Sequence, residues 1–164
     1  MIEQNEIPDI DGYGDILLAI IESEYPSQTE EDHYRKRVLS GDPKQIYGRC
    51  GYAASVAVAK KLSLQLLKPI EKVISDYKDG NGHEYLLSPE KDLIIDATAG
   101  QFIPQTSRVG FEKYFRGNMF IGSRTILKQI CLNGVVNTRT QNDPQLSFQR
   151  IWGDRSMSRM PKSK

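Results

Sequence analysis

Two cysteines and two histidines among 164 residues are too few for a disulfide framework or a thiolate zinc cluster. The chain has no G-x-x-x-x-G-K-[ST] and no G-x-G-x-x-G run, so neither common phosphate cradle is encoded. Asp76, Asp79 and Asn81 superficially suggest a calcium loop, but the later glutamate and the glycine that such a loop needs are missing. We expect no cofactor and no metal. No apolar run approaches the roughly 20 residues of a membrane span. The first 32 residues hold ten acids and no Lys or Arg, and they lack the basic and apolar regions of a secretory signal. The expected setting is the reducing cytoplasm, where both thiols stay free, or delivery as an effector by a route without such a signal.

What is present describes a globular chain: 38% hydrophobic and 26% charged residues, with a net charge of +1. The length suits one domain. We expect that domain over residues 1–155, followed by a basic, disordered tail over 156–164. From Arg150 onward the chain holds Arg150, Arg155, Arg159, Lys162 and Lys164 against Asp154. So short a terminal cluster reads as a solvated end, not as a specific nucleic-acid site.

Periodicity divides the chain into short elements. Ile16, Leu17, Ile20 and Ile21 recur at helical spacing over residues 15–24, and Pro26 stops the run. Ser27-Gln28-Thr29-Glu30 has the form of a capping box and predicts a second, charged helix that contains His33 and ends at Ser40-Gly41. Residues 41–49 read as a loop. From Cys50 the small apolar residues Ala53, Ala54, Ala57, Val58, Leu62 and Leu66 predict one helix that begins with the cysteine and ends before Pro69. A strand follows over residues 70–77, then an Asn81-Gly82 turn and two antiparallel strands, residues 83–87 and 92–96. A short helix is expected near residues 111–115, a strand at 119–121 and a helix at 124–132 capped by Ser123. Ile126, Leu127, Ile130 and Cys131 share the apolar stripe of that last helix, which makes Cys131 structural. No strong period follows Val136.

Cys50 therefore stands at a helix start, where free N–H groups and partial positive charge favour a thiolate. A thiol nucleophile needs a base. His33 falls in a charged, solvated helix, whereas His83 opens an apolar strand. Asp96 closes the neighbouring strand. In an antiparallel pair the start of one strand lies beside the end of the next, so Asp96 can orient the imidazole and stabilise its cation. Cys50, His83 and Asp96 are the candidate catalytic triad.

The runs Gly48-Arg49-Cys50-Gly51-Tyr52-Ala53-Ala54, Gly82-His83-Glu84-Tyr85 and Leu93-Ile94-Ile95-Asp96-Ala97-Thr98 resemble the transglutaminase-like and papain-like superfamily. Its pattern is a G-x-C helix start, a histidine opening a strand and an aspartate followed by x-T. The likeness spans residues 45–102, and Glu84-Tyr85 departs from the small residue and tryptophan that many members carry there. The resemblance implies an α+β fold with the cysteine helix packed on an antiparallel sheet. It also implies acyl transfer through a thioester on a protein or peptide substrate, as in peptidases, amidases, deamidases and transglutaminases. It further implies that Gln45, five positions before the cysteine, donates to the oxyanion beside the Cys50 N–H, with Gln101 as the weaker candidate. The alternatives are a catalytically silent binding module of the same fold and a papain-fold toxin or effector domain.

Overall fold

Leu93, Ile94, Ile95 and Asp96 are all buried, a pattern a strand adopts when both faces of its sheet are covered. The computed structural model describes residues 10–26, 33–47, 49–75, 82–133 and 144–153. Among them the strands are β1 (Glu71–Ile74), β2 (Glu84–Ser88), β3 (Leu93–Asp96), β4 (Phe115–Arg116) and β5 (Met119–Ser123). They form one open sheet in the order β1-β2-β3-β5-β4, and every neighbouring pair is antiparallel. The chain is thus α+β, with β3 at the centre.

Strand residues alternate between the two faces. Leu86, Leu93, Ile95, Met119 and Ile121 pack with α1 (Ile10–Glu24), α2 (Tyr34–Leu39) and α4 (Val56–Leu66) through Leu17, Leu18, Ile21, Val38, Val58 and Leu62. On the other face, Val73, Tyr85, Leu87, Ile94 and Phe120 meet α5 (Arg124–Asn133) and α6 (Pro144–Trp152) through Leu127, Ile130, Phe148, Ile151 and Trp152. Cys131 is fully buried in this second core.

Several expected boundaries move. Helix α1 begins at Ile10, five residues earlier than the apolar stripe suggests, because Tyr13 and Ile10 also pack on the first core. The capping-box residues 27–30 lie outside the described residues. His33 is not inside the second helix: it is the N-cap of α2, and its Nδ1 meets Glu22 Oε2 at 2.5 Å. The helix expected from Cys50 to Leu66 is two helices, α3 (Cys50–Ala53) and α4. The break has a local cause: Ser55 is extended and its Oγ accepts the Val58 N–H at 3.2 Å, a serine N-cap that starts a new helix. Residues 112–114 form a 3-10 turn that leads into β4, in place of the short helix. Helix α5 starts after Ser123, whose Oγ accepts the Ile126 N–H as expected. Helix α6 has no counterpart in the sequence reading, and the tail over 156–164 lies outside the described residues. Among the described residues, no helix is long and apolar enough to cross a membrane.

Candidate active site

His83 stands one residue before β2, and its main chain is pinned to the end of β1. Its carbonyl accepts the Ser75 N–H at 2.8 Å and the Ser75 hydroxyl at 3.2 Å. Gly82 makes that approach possible, since a Cβ there would stand 2.1 Å from the Ser75 carbonyl oxygen. The β2–β3 register pairs Leu86 with Ile95 and Leu87 with Ile94. Extended by alternation, it places His83 and Asp96 as diagonal neighbours on the same face.

The two side chains meet there. His83 Nε2 donates to Asp96 Oδ2 across 2.7 Å, with His83 2% and Asp96 1% exposed. The imidazole lies edge-on to Phe102 at 4.8 Å and to Trp152 at 6.0 Å, centroid to centroid, and stacks on Tyr85 at 6.0 Å. Nε2 is thereby committed to Asp96, which leaves Nδ1 for the third member. Cys50 lies close enough to His83 to act on the charge of its ring. The structure therefore brings Cys50, His83 and Asp96 together in that order, with Cys50 partly exposed and the other two buried.

Cys50 is held by its neighbours more than by a helix. Helix α3 is a single turn that packs on β2, so it cannot supply the macrodipole expected of a long helix. Tyr34, itself buried, donates its hydroxyl to the Arg49 carbonyl at 2.7 Å, and Tyr52 packs edge-on against Tyr25 and Tyr34. His83 is a charged neighbour of Cys50.

Asp96 is the best-connected of the three. Oδ1 accepts the Thr98 N–H at 2.9 Å and the Thr98 hydroxyl at 3.2 Å, while Oδ2 accepts the Trp152 indole N–H at 2.7 Å beside His83. Burial by itself would raise its pKa, but the His83 charge and hydrogen bond, the indole and the Thr98 N–H together hold it below 3.8. For His83, burial acts to lower the pKa. The Asp96 charge and hydrogen bond, then Cys50, outweigh it and push the value up to about 9. The pair is an imidazolium with a carboxylate.

That charge state has a consequence for stability. The His83 contribution is fully present below its ordinary 6.5 and is lost as pH rises through about 9. The Asp96 contribution is present above 3.8 and is lost as pH falls through its lower folded value. At about 1.4 kcal/mol per pH unit, the upward shift of His83 corresponds to on the order of 3 kcal/mol. Denaturant midpoints should therefore be flat between about pH 4 and 6.5 and decline from there to about pH 9. A flat profile through pH 9 would show that the pair is not charged.

Both glutamines have identified partners. The Gln45 carboxamide oxygen and its carbonyl both accept from Arg37 Nη1 at 3.3 Å. Its NH2 end is thus the donor end, on a turn that packs against Ala99–Gln101. Gln101 Nε2 donates to Thr98 Oγ1 at 3.2 Å, which makes it a support for the hydroxyl that holds Asp96. Trp152 escaped the sequence reading altogether. Its signal was present in the C-terminal segment: Pro144 opens a run in which Phe148, Ile151 and Trp152 fall at helical spacing.

Among the described residues, no group of three or more His, Cys, Asp or Glu side chains is placed to hold a metal. No family model, curated protein or solved structure matches the chain.

Proposed function

We propose that this chain is a thiol acyl-transfer enzyme of the transglutaminase-like and papain-like kind, acting on an amide or peptide carbonyl of a protein or peptide. The single observation that carries this reading is the ordered chain from Cys50 through His83 to Asp96, with the cysteine partly exposed and the imidazole–carboxylate pair buried behind it. A histidine with a pKa near 9 carries its proton at neutral pH, so it suits the role of acid toward a departing amine.

In this reading Cys50 Sγ adds to the carbonyl carbon, and the C=O electron pair moves to oxygen. The Cys50 N–H and the Gln45 NH2 are the proposed donors to that oxyanion. On collapse, the C–N bond breaks, His83 gives its proton to the departing amine, and the acyl group remains on sulfur as a thioester. Water or an acceptor amine then attacks the thioester while His83 takes the proton back. The sulfur leaves as thiolate, and Asp96 stabilises the imidazolium whenever His83 holds the proton.

Alkylation by iodoacetamide at about pH 5.5 tests the reading, because an ordinary thiol is almost unreactive there. One adduct is expected, and peptide mapping should place it on Cys50. Cys131 is fully buried and its pKa is pushed up to about 12 by that burial, so it should stay unmodified. Slow, pH-ordinary labelling of Cys50 would remove the enzyme reading.

A further inference from the structure

Arg124 sits between the two elements that fix Asp96. Its Nε donates to both Asp92 carboxylate oxygens at 3.1 Å, and its own backbone N–H donates to the Asp92 carbonyl at 3.0 Å. Asp92 immediately precedes β3, the strand that ends in Asp96. The same guanidinium donates through Nη1 to the Trp152 and Gly153 carbonyls, and more weakly to the Tyr85 hydroxyl at 3.4 Å. Those two carbonyls close the C-terminal end of α6. The last carbonyls of a helix have no partner within it and form the negative end of its dipole. A cation there is both a cap and a charge complement.

We propose that Arg124 is a positioning residue for the Asp96–His83 pair, acting through Trp152, so that α6 belongs to the catalytic apparatus and not only to the core. The inference rests on the enzyme reading for its purpose, but its geometry is independent of the thiol. Arg124 fixes the last residue of α6, Trp152 sends its indole N–H to Asp96 Oδ2 at 2.7 Å, and the same ring lies edge-on to His83. Asp96 Oδ2 is then held by two donors, the His83 ring and the Trp152 indole, each at 2.7 Å. A guanidinium suits this because its donors are fixed in a planar fork, whereas an ammonium is a compact point charge on a flexible stem.

The charged and titratable groups around Arg124 are Asp92 and Tyr85, and those around His83 are Asp96, Cys50 and Tyr85. This sets opposite signs for the competing explanations. If Arg124 acted only as a nearby positive charge, its removal would relieve repulsion and raise the His83 pKa. If Trp152 acted only by withdrawing charge from Asp96, losing its N–H would also raise it. Loss of positioning lowers it, because a carboxylate that turns away no longer stabilises the imidazolium. A purely structural role changes the unfolding temperature and leaves the pKa where it was.

The test is an NMR titration of the His83 ring in the Cys50→Ala protein, where no acyl chemistry can occur and only His33 must be resolved from it. Trp152→Phe and Arg124→Met in that background should each lower the His83 pKa by at least one unit, and Arg124→Lys should lower it by less. Trp152→Phe keeps the ring in the core and guards against a variant that fails to fold. A His83 pKa that stays constant or rises in the folded variants overturns the proposal. Because the measurement uses no reactive thiol, it can fail while the iodoacetamide result stands, and the reverse.

Discussion

Cys50→Ala should abolish acyl-enzyme formation completely, and His83→Ala should reduce turnover on any peptide substrate by about 10²–10⁴-fold. The two losses differ in kind. Without Cys50 there is no sulfur to carry the acyl group, so no covalent intermediate can accumulate at any pH. Without His83 the thiol remains, but the proton needed by the departing amine has no source within reach, and the charged neighbour of Cys50 is gone. His83→Ala should therefore also carry its rate upward with pH as the thiol ionises unaided, whereas Cys50→Ala is inactive throughout. A Cys131→Ala control should retain nearly full activity, since that thiol lies in the second core. Steady-state rates across a pH series distinguish the three.

The second large effect is on stability and falls on Asp96. Asp96→Ala removes the partner of a fully buried cation and leaves the Trp152 N–H, the Thr98 N–H and the Thr98 hydroxyl without an acceptor. Removing one member of a buried ion pair costs about 3–5 kcal/mol, and chemical denaturation should read a loss of that size. Asp96→Asn is the informative comparison. Its single oxygen can keep the two Thr98 bonds, but its NH2 then faces both the indole N–H and the imidazole. The imidazole can accept from that NH2 only when neutral at Nε2, which moves its proton to Nδ1, toward Cys50. The stability loss should be smaller than for alanine, while activity should fall by roughly 10³-fold or more, as expected for a triad held in the wrong tautomer. Full activity in a folded Asp96→Asn protein would show that Asp96 is only a structural partner of the loop.

These outcomes depend on contacts that differ in how far they could be read from the sequence. The Cys50, His83 and Asp96 positions were legible because each ends an element with a local signature: a small-residue helix, a glycine turn and an apolar strand closed by Asp-Ala-Thr. The antiparallel β2–β3 pair was legible too, because the turn between Ser88 and Asp92 is short. The break between α3 and α4 was hidden. Cys-Gly-Tyr-Ala-Ala-Ser-Val-Ala suits a continuous helix by propensity, and Ser55 becomes a cap only because the chain must turn from the site back over the sheet. Trp152 was hidden for a different reason: its bond to Asp96 spans 56 residues, and no local pattern encodes a contact of that range. Arg124 looked like the first residue of an amphipathic helix. Its contacts with the end of α6 emerge only when that helix is folded back against α5.

The most direct test of the triad is intact-mass trapping with a panel of glutamine-containing and other peptides, quenched during turnover. The account predicts a covalent adduct with the mass of the acyl fragment, carried by Cys50, absent in Cys50→Ala and unaffected by Cys131→Ala. An adduct on Cys131, or turnover that persists in the Cys50→Ala protein, would contradict it.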